Sequence, residues 1–229
     1  MAPSVFWRGV LDSISNGYLS MRKPSLILIG AGGHAHACID VIEQHGCYQI
    51  AGLVGKPAEM HMQYFGCAVI ATDDDLPELV KTYRYALITV GQTLTADCRL
   101  RLYELATTLG FQLPVIIAPT ALVSRNATVG HGTIVMHSAI VNAGANVGSN
   151  CIVNTRALIE HDAHVADHCH IHTGTILNGN VRVGAGSFVG SGTVIKQGVT
   201  VGARCVVGMG LAVRHNLPDH TRFVGDDKA

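Results

Sequence analysis

From Val123 to Val213 an aliphatic residue occupies every sixth position, without a break. Four places after each stands a mostly small residue: Ala127, Thr133, Ala139, Ala145, Cys151, Ala157, Ala163, Cys169. A six-residue period with small residues in fixed phase predicts a parallel β-helix of hexapeptides. Each hexapeptide makes a short strand and a turn, three make a triangular coil, and coils stack at about 4.8 Å. Cys151, Cys169 and Cys205 then share one inward ladder with Ser187, and read as small core fillers rather than reactive thiols.

The residue before each aliphatic points outward, and these residues sort into three rows. Thr128, Asn146, His164, Arg182 and Thr200 make a solvated row. Ile134, Ile152, His170, Phe188 and Val206 make a second, and Ile140, Leu158, Ile176, Val194 and Ala212 a third. Two apolar outer sides must be covered. Packing of copies around a three-fold axis is the expected cover, hence a homotrimer.

Residues 25–117 follow another rhythm. Apolar runs at Leu26–Ile29, Ile50–Val54, Ala68–Ile70, Ala86–Val90 and Leu113–Ile117 predict strands. Helical patterns over His34–Gln44, Leu76–Lys81 and Ala96–Leu109 lie between them. Such alternation predicts a small parallel sheet covered by helices. The chain divides accordingly into an N-terminal extension (1–24), the α/β domain (25–117), the hexapeptide domain (118–216) and a tail (217–229). Met21, just before Arg22-Lys23-Pro24, reads as the natural start, with the residues before it an upstream extension.

Composition narrows the partners. Lys and Arg number 16, as do Asp and Glu, so no basic excess points to nucleic acid or an anionic membrane. No apolar run approaches the ~20 residues of a membrane-spanning helix, and the opening stretch lacks the parts of a secretory signal. Charged residues make up 14%, against roughly 25% in ordinary globular chains, which again argues for a surface covered by copies of the chain. Seven cysteines without a C-x-x-C pair suit a reducing cytoplasm, not a disulfide framework or a zinc ribbon.

Candidate chemistry concentrates at histidines and glycines. His161, His164, His168, His170 and His172 form the densest histidine group. His170 interrupts an apolar row, where an imidazole needs a partner or a ligand. His161 stands at a turn between Glu160 and Asp162, and a carboxylate can orient an imidazole and raise its basicity, which makes it a general-base candidate. His164 falls in the solvated row, and nothing singles out His168 or His172. Gly30-Ala31-Gly32-Gly33-His34 lies between a strand and a helix, where glycines let a phosphate approach the backbone and the helix N-terminus. Ala35 fills the sixth position of G-x-G-x-x-G, and Gly55-Lys56 follows the next strand where a ribose-binding acid would stand. A phosphate-containing ligand other than a dinucleotide fits this loop better than NAD; a tight turn without a ligand is the alternative.

The order Gly-Ala-Gly-Gly-His-Ala (30–35), a small α/β domain, then Asn154-Thr155-Arg156-Ala157-Leu158-Ile159-Glu160-His161-Asp162 resembles one bacterial family. It is similar to the sugar-nucleotide acetyltransferases that modify bacillosamine and perosamine precursors, together with the sialic acid O-acetyltransferases. The resemblance implies an α/β plus β fold: a small Rossmann-like parallel-sheet domain, then a left-handed parallel β-helix of hexapeptide repeats. It implies His161 as general base, with Asp162 where the family usually has a supporting glutamate. His170, Gly179, Ser191 and Met209 match positions that meet acetyl-CoA, Gly179 through its backbone N–H, and Asn154 matches a polar neighbour of the base. Gly32, Gly33, His34 and Gly91 match the sugar-nucleotide site, and Gly55 and Lys56 stand where relatives carry aspartates. Phe223-Val224-Gly225 resembles the family's ending, with Asp226-Asp227 in place of Pro-Ala.

The expected enzyme is a cytoplasmic, acetyl-CoA-dependent N-acetyltransferase without a metal. Its acceptor is a nucleotide-linked amino sugar, of the 4-amino-4,6-dideoxy kind, for surface glycan synthesis. An imidazole would take the amine's proton during direct attack on the thioester, and backbone N–H groups would hold the oxyanion. The alternatives are a sialic acid O-acetyltransferase, a zinc enzyme resembling the gamma-class carbonic anhydrases, or a non-enzymatic sugar-nucleotide-binding trimer.

Overall fold

A computed structural model describes residues 23–225. The expected N-terminal extension and the choice of Met21 as start fall outside them, save for Lys23 and Pro24, as does Asp226-Asp227.

β1 (Ser25–Ile29) is the centre of the first unit. Its alternation serves two faces. Leu26 and Leu28 pack with Ala35, Cys38, Ile39 and Ile42 of helix α1 (Gly33–His45), while Ile27 and Ile29 pack with Leu76, Leu102 and Ala106. Those last residues belong to α2 (Leu76–Thr82) and α3 (Asp97–Leu109). A strand buried on both sides reads as a continuous apolar run, which is why β1 was plain in the sequence. β2 (Gln49–Val54) and β5 (Tyr85–Ile88) flank it in parallel; with β3 (Gln63–Tyr64) and β4 (Cys67–Ala71) the sheet order is β3-β4-β2-β1-β5.

Two expectations need correction. β3 (Gln63–Tyr64) and β4 (Cys67–Ala71) form an antiparallel hairpin that two residues of pattern could not announce. Leu113–Ile117 does not close the first sheet. Its last residues, β6 (Ile116–Ile117), pair with Ile134–Val135 and begin the β-helix.

From β6 to β23 (Arg222–Phe223) the chain winds a left-handed parallel β-helix. Two-residue strands stack into sheets of six, five and seven. The register advances one coil per strand, as in Ile140 opposite Leu158 and Val141 opposite Ile159. The second residue of each pair, such as Val141, Val147 and Val153, points into one continuous core. From Gly132 to Gly210 each coil turn closes on a left-handed residue, among them Ser138, Asn150, Arg156, Asp162 and His168.

The small inward residues do more than fill. Thr133 Oγ1 donates to Gly148 O at 2.7 Å, Cys151 Sγ to Ala166 O at 3.2 Å, Cys169 Sγ to Gly184 O at 3.1 Å and Ser187 Oγ to Gly202 O at 2.8 Å. A weak S–H or O–H donor therefore satisfies a turn carbonyl in each coil, which alanine could not do.

The outward rows divide differently from the expectation. The row through His164 is exposed throughout and forms a polar face. In the second row Ile134 and Ile152 are covered by the chain itself, packing under Cys38, Ile39 and Ile42 of α1. We call this the junction face. A neighbouring copy is not needed to bury it, because the α/β unit supplies the cover. Only the third row, the open face, stays uncovered, with Leu122 56% exposed at its head and Ile140 and Val194 exposed below. Among the described residues no helix is long and apolar enough to cross a membrane.

Candidate active site

The turns between faces carry the chemistry, and they make two separate groups. At the corner between the open and polar faces, His161 Nδ1–H donates to Asp162 Oδ2 at 2.9 Å. Asp162 is left-handed (φ 59°), a conformation that aspartate tolerates better than most residues. Glu160 Oε2 accepts from the His161 N–H at 3.2 Å and from Asn142 Nδ2 at 3.0 Å, pinning the turn.

Two glycines leave room for this pair. A Cβ on Gly144, one coil below, would collide with the Asp162 carboxylate. A Cβ on Gly179, one coil above, would stand 2.6 Å from His161 Nε2. The imidazole therefore lies with its unprotonated nitrogen over the Gly179 backbone, whose N–H has no acceptor among the described residues. His161 is 54% exposed, so the corner is open to an incoming molecule.

The second group lies where the α/β unit meets the β-helix. His170 is 3% exposed, and both ring nitrogens are engaged. Nδ1–H donates to Gln92 O at 2.8 Å and Nε2 accepts from Asn154 Nδ2 at 3.2 Å. Burial holds its pKa well below the usual histidine value, against the opposing pull of the Gln92 carbonyl. His172 packs beside it, ring centroids 4.6 Å apart, and Phe188 meets both edge-on. His172 Nδ1 accepts from the Thr173 N–H at 2.9 Å and from Ser191 Oγ–H at 2.6 Å. Its proton consequently sits on Nε2, which has no partner among the described residues. Met209 lies on the same corner, 78% exposed.

His34 reaches this cluster from the first turn of α1, 6.3 Å from His170 between centroids. Burial, then the charge of Arg99, lowers its pKa to about 3, so the ring is neutral at any physiological pH. The loop Gly30–Gly33 sits at the carboxyl ends of β1 and β5, where the sheet order reverses and phosphates bind in open α/β sheets. Gly32 caps α1 without a side-chain bond, leaving the Gly33 and His34 N–H groups without an acceptor among the described residues. A Cβ on Gly32 or Gly33 would meet nothing, so no packing inside the chain demands glycine there.

Gly55 differs, since a Cβ there would meet Glu59 Oε2 at 2.9 Å and Val69 at 3.0 Å. Glu59 in turn accepts the Lys56 N–H at 2.7 Å. Gly91 abuts His34, with 3.4 Å from its virtual Cβ to His34 Cβ.

The structure thus joins Asn154, His170, Ser191 and His34 in one cluster and His161, Asp162 and Gly179 in another. Among the described residues no hydrogen bond or ring contact links the two. Sequence reasoning missed Gly144, Gln92, Arg99 and His172. Arg99 had a signal: with Leu102 and Ala106 it forms the buried i, i+3, i+7 stripe of α3.

Residues 25–104 match the PglD N-terminal domain, and residues 180–214 the hexapeptide repeat of succinyl-transferase. No curated protein matches the chain. The acetyltransferase domain of PglB from Neisseria gonorrhoeae FA1090, in complex with acetyl coenzyme A, superposes with a TM-score of 0.80 at 34% identity, over 87% of this chain and 95% of that one. PerB from Caulobacter crescentus, in complex with CoA and GDP-perosamine, gives 0.80 at 32% identity, over 88% and 94%. WeeI from Acinetobacter baumannii AYE shares the fold at 17% identity, with a TM-score of 0.75 over 89% and 98%.

Proposed function

The chain belongs to the hexapeptide-repeat sugar acetyltransferases with a PglD-type N-terminal domain, and from that membership we propose that it N-acetylates a nucleotide-linked amino sugar, of the 4-amino-4,6-dideoxy kind, with acetyl-CoA. The observation that carries the proposal is the His161–Asp162 pair slotted between Gly144 and Gly179. Asp162 accepts a hydrogen bond from Nδ1–H, which fixes the tautomer and leaves Nε2 a base with a free lone pair at an open corner. A sugar amine attacking the thioester carbonyl loses its proton to that nitrogen. The Gly179 N–H stands beside it as a donor for the oxyanion, and CoA leaves as the thiol on the proton that Nε2 gives back. His170, Ser191 and Met209 mark the coenzyme's approach, and Asn154 fixes His170. The Gly32-Gly33-His34 loop, with Gly91 and the Gly55-Lys56 turn, holds the nucleotide.

Both halves become one site through a second copy. The open face lies between the two corners, so copies packed on it around a three-fold axis set the base of one beside the coenzyme corner of the next. Incubation with acetyl-CoA and a panel of UDP-, dTDP-, GDP- and CMP-linked amino sugars, followed by product mass, tests the activity. An acetylated amine is the expected product; free CoA without a modified sugar would refute it. Sedimentation should give a trimer, and a monomer at micromolar concentration would leave the two corners unjoined.

A further inference from the structure

Arg99 is 1% exposed at the junction of the two units, and every partner it has is neutral. Nη1–H donates to Ile88 O at 3.1 Å and to Val90 O at 2.5 Å, at the carboxyl end of β5. Nη2–H donates to Asn150 O at 3.1 Å and Asn150 Oδ1 at 2.8 Å, on the β-helix. Asn150 Nδ2 returns a bond to Arg99 O at 3.3 Å, and Nε is left without a partner. Among the described residues the arginine ion pairs are those of Arg101 with Asp73 and Arg204 with Asp97, both on the surface. A buried cation without a counter-ion is expensive, and neutral side chains could link two units at lower cost.

Its place explains the charge. Val90, held by Nη1, packs against Gly30 so closely that a Cβ there would stand 2.7 Å from it. The next residue, Gly91, abuts His34. The guanidinium thus underlies the glycine loop from behind, out of reach of a ligand but within its field.

Resting on that loop as the nucleotide-sugar site, we propose that Arg99 is a positioning residue whose buried charge is completed by the ligand's diphosphate. The fork fixes the end of β5 to the β-helix, and the uncompensated charge favours an anion at the loop. The same field reaches His34, where Arg99 is the second cause of the lowered pKa. Burial brings the guanidinium itself down to about 10, still cationic at neutral pH.

Calorimetric titration with nucleoside diphosphates (UDP, dTDP, GDP, CDP) and the matching nucleosides tests this on wild type, Arg99→Met and Arg99→Lys. Arg99→Met should keep nucleoside affinity within about two-fold and lose about ten-fold or more for the diphosphate. Arg99→Lys should restore most of that preference. Equal weakening of both ligands in Arg99→Met, or no change in either, overturns the role while leaving the site standing. Wild type that binds no nucleoside diphosphate overturns site and role together. Where Arg99→Met does not fold, Arg99→Lys decides: a diphosphate preference within about three-fold of wild type supports the charge, and its loss overturns it.

Discussion

His161 and His170 ride the same solenoid and differ in almost everything that decides what an imidazole does. His161 sits at an open corner with one nitrogen held by Asp162 and the other free over a glycine. His170 sits under the α/β unit with both nitrogens engaged. The repeat places both rings on the scaffold, but of the two only the first keeps a free lone pair. The second has both nitrogens committed to Gln92 and Asn154, with His172 and His34 beside it. A histidine in a repeat protein is therefore sorted by what its two nitrogens already hold.

The sharpest way to break that contrast is His161→Ala. Removal of a general base should cost roughly 10²–10⁴-fold in transfer while thermal stability stays at the wild-type value, since the side chain is exposed. Turnover near wild type would end its claim. Gly179→Ala comes next. The new Cβ meets the flexible end of the imidazole rather than backbone, so the ring must swing away while the coil stays folded. Activity should drop by about 10²-fold, as for a displacement of an ångström or so at a reacting group, with an unchanged melting curve. His170→Ala reverses the pattern. It strands the Gln92 carbonyl and the Asn154 amide in a buried junction, which should cost about 1–3 kcal/mol of stability in denaturant titrations. Lost activity with full stability in that variant would make His170 a direct participant in the chemistry.

The same contrast explains what the sequence could tell. The solenoid was legible residue by residue, because each hexapeptide buries Val or Ile in one phase and the phase never slips from Val123 to Val213. β1 and α1 were legible for the related reason that one apolar pattern serves one core. The cover of Ile134 and Ile152 was not legible. An apolar row announces that something packs there, but not whether α1 or another copy does so. His161 and Asp162 were legible as neighbours in sequence. The slot made by Gly144 and Gly179 needed the coil register, which sets residues from different turns side by side. Arg99 escaped because a charged residue on a helix is ordinarily taken to the solvated face, although its spacing to Leu102 and Ala106 ran the other way. Gln92 and His172 gave no signal, since their roles come from bonds to the His170 ring and the Ser191 hydroxyl, neighbours that only the fold supplies.

The pH dependence of stability separates the buried cluster from the exposed corner. His34 has a pKa of about 3 in the folded chain and an ordinary value of 6.5 once unfolded. Between those values the unfolded chain binds a proton that the folded chain refuses. The contribution is therefore complete above about pH 6.5 and declines as pH falls toward 3, by up to ~1.4 kcal/mol per pH unit for each such ring. Burial shifts His170, His168 and His172 in the same direction, so their losses add to that slope. Urea titrations from pH 8 to pH 5 should show stability falling through the lower half of that range. His34→Gln should make the fall shallower, because one buried ring no longer resists protonation. Stability that stays level or climbs on acidification would mean that these imidazoles already carry protons in the native state. The neutral cluster at the junction, and with it the contrast to His161, would then be lost.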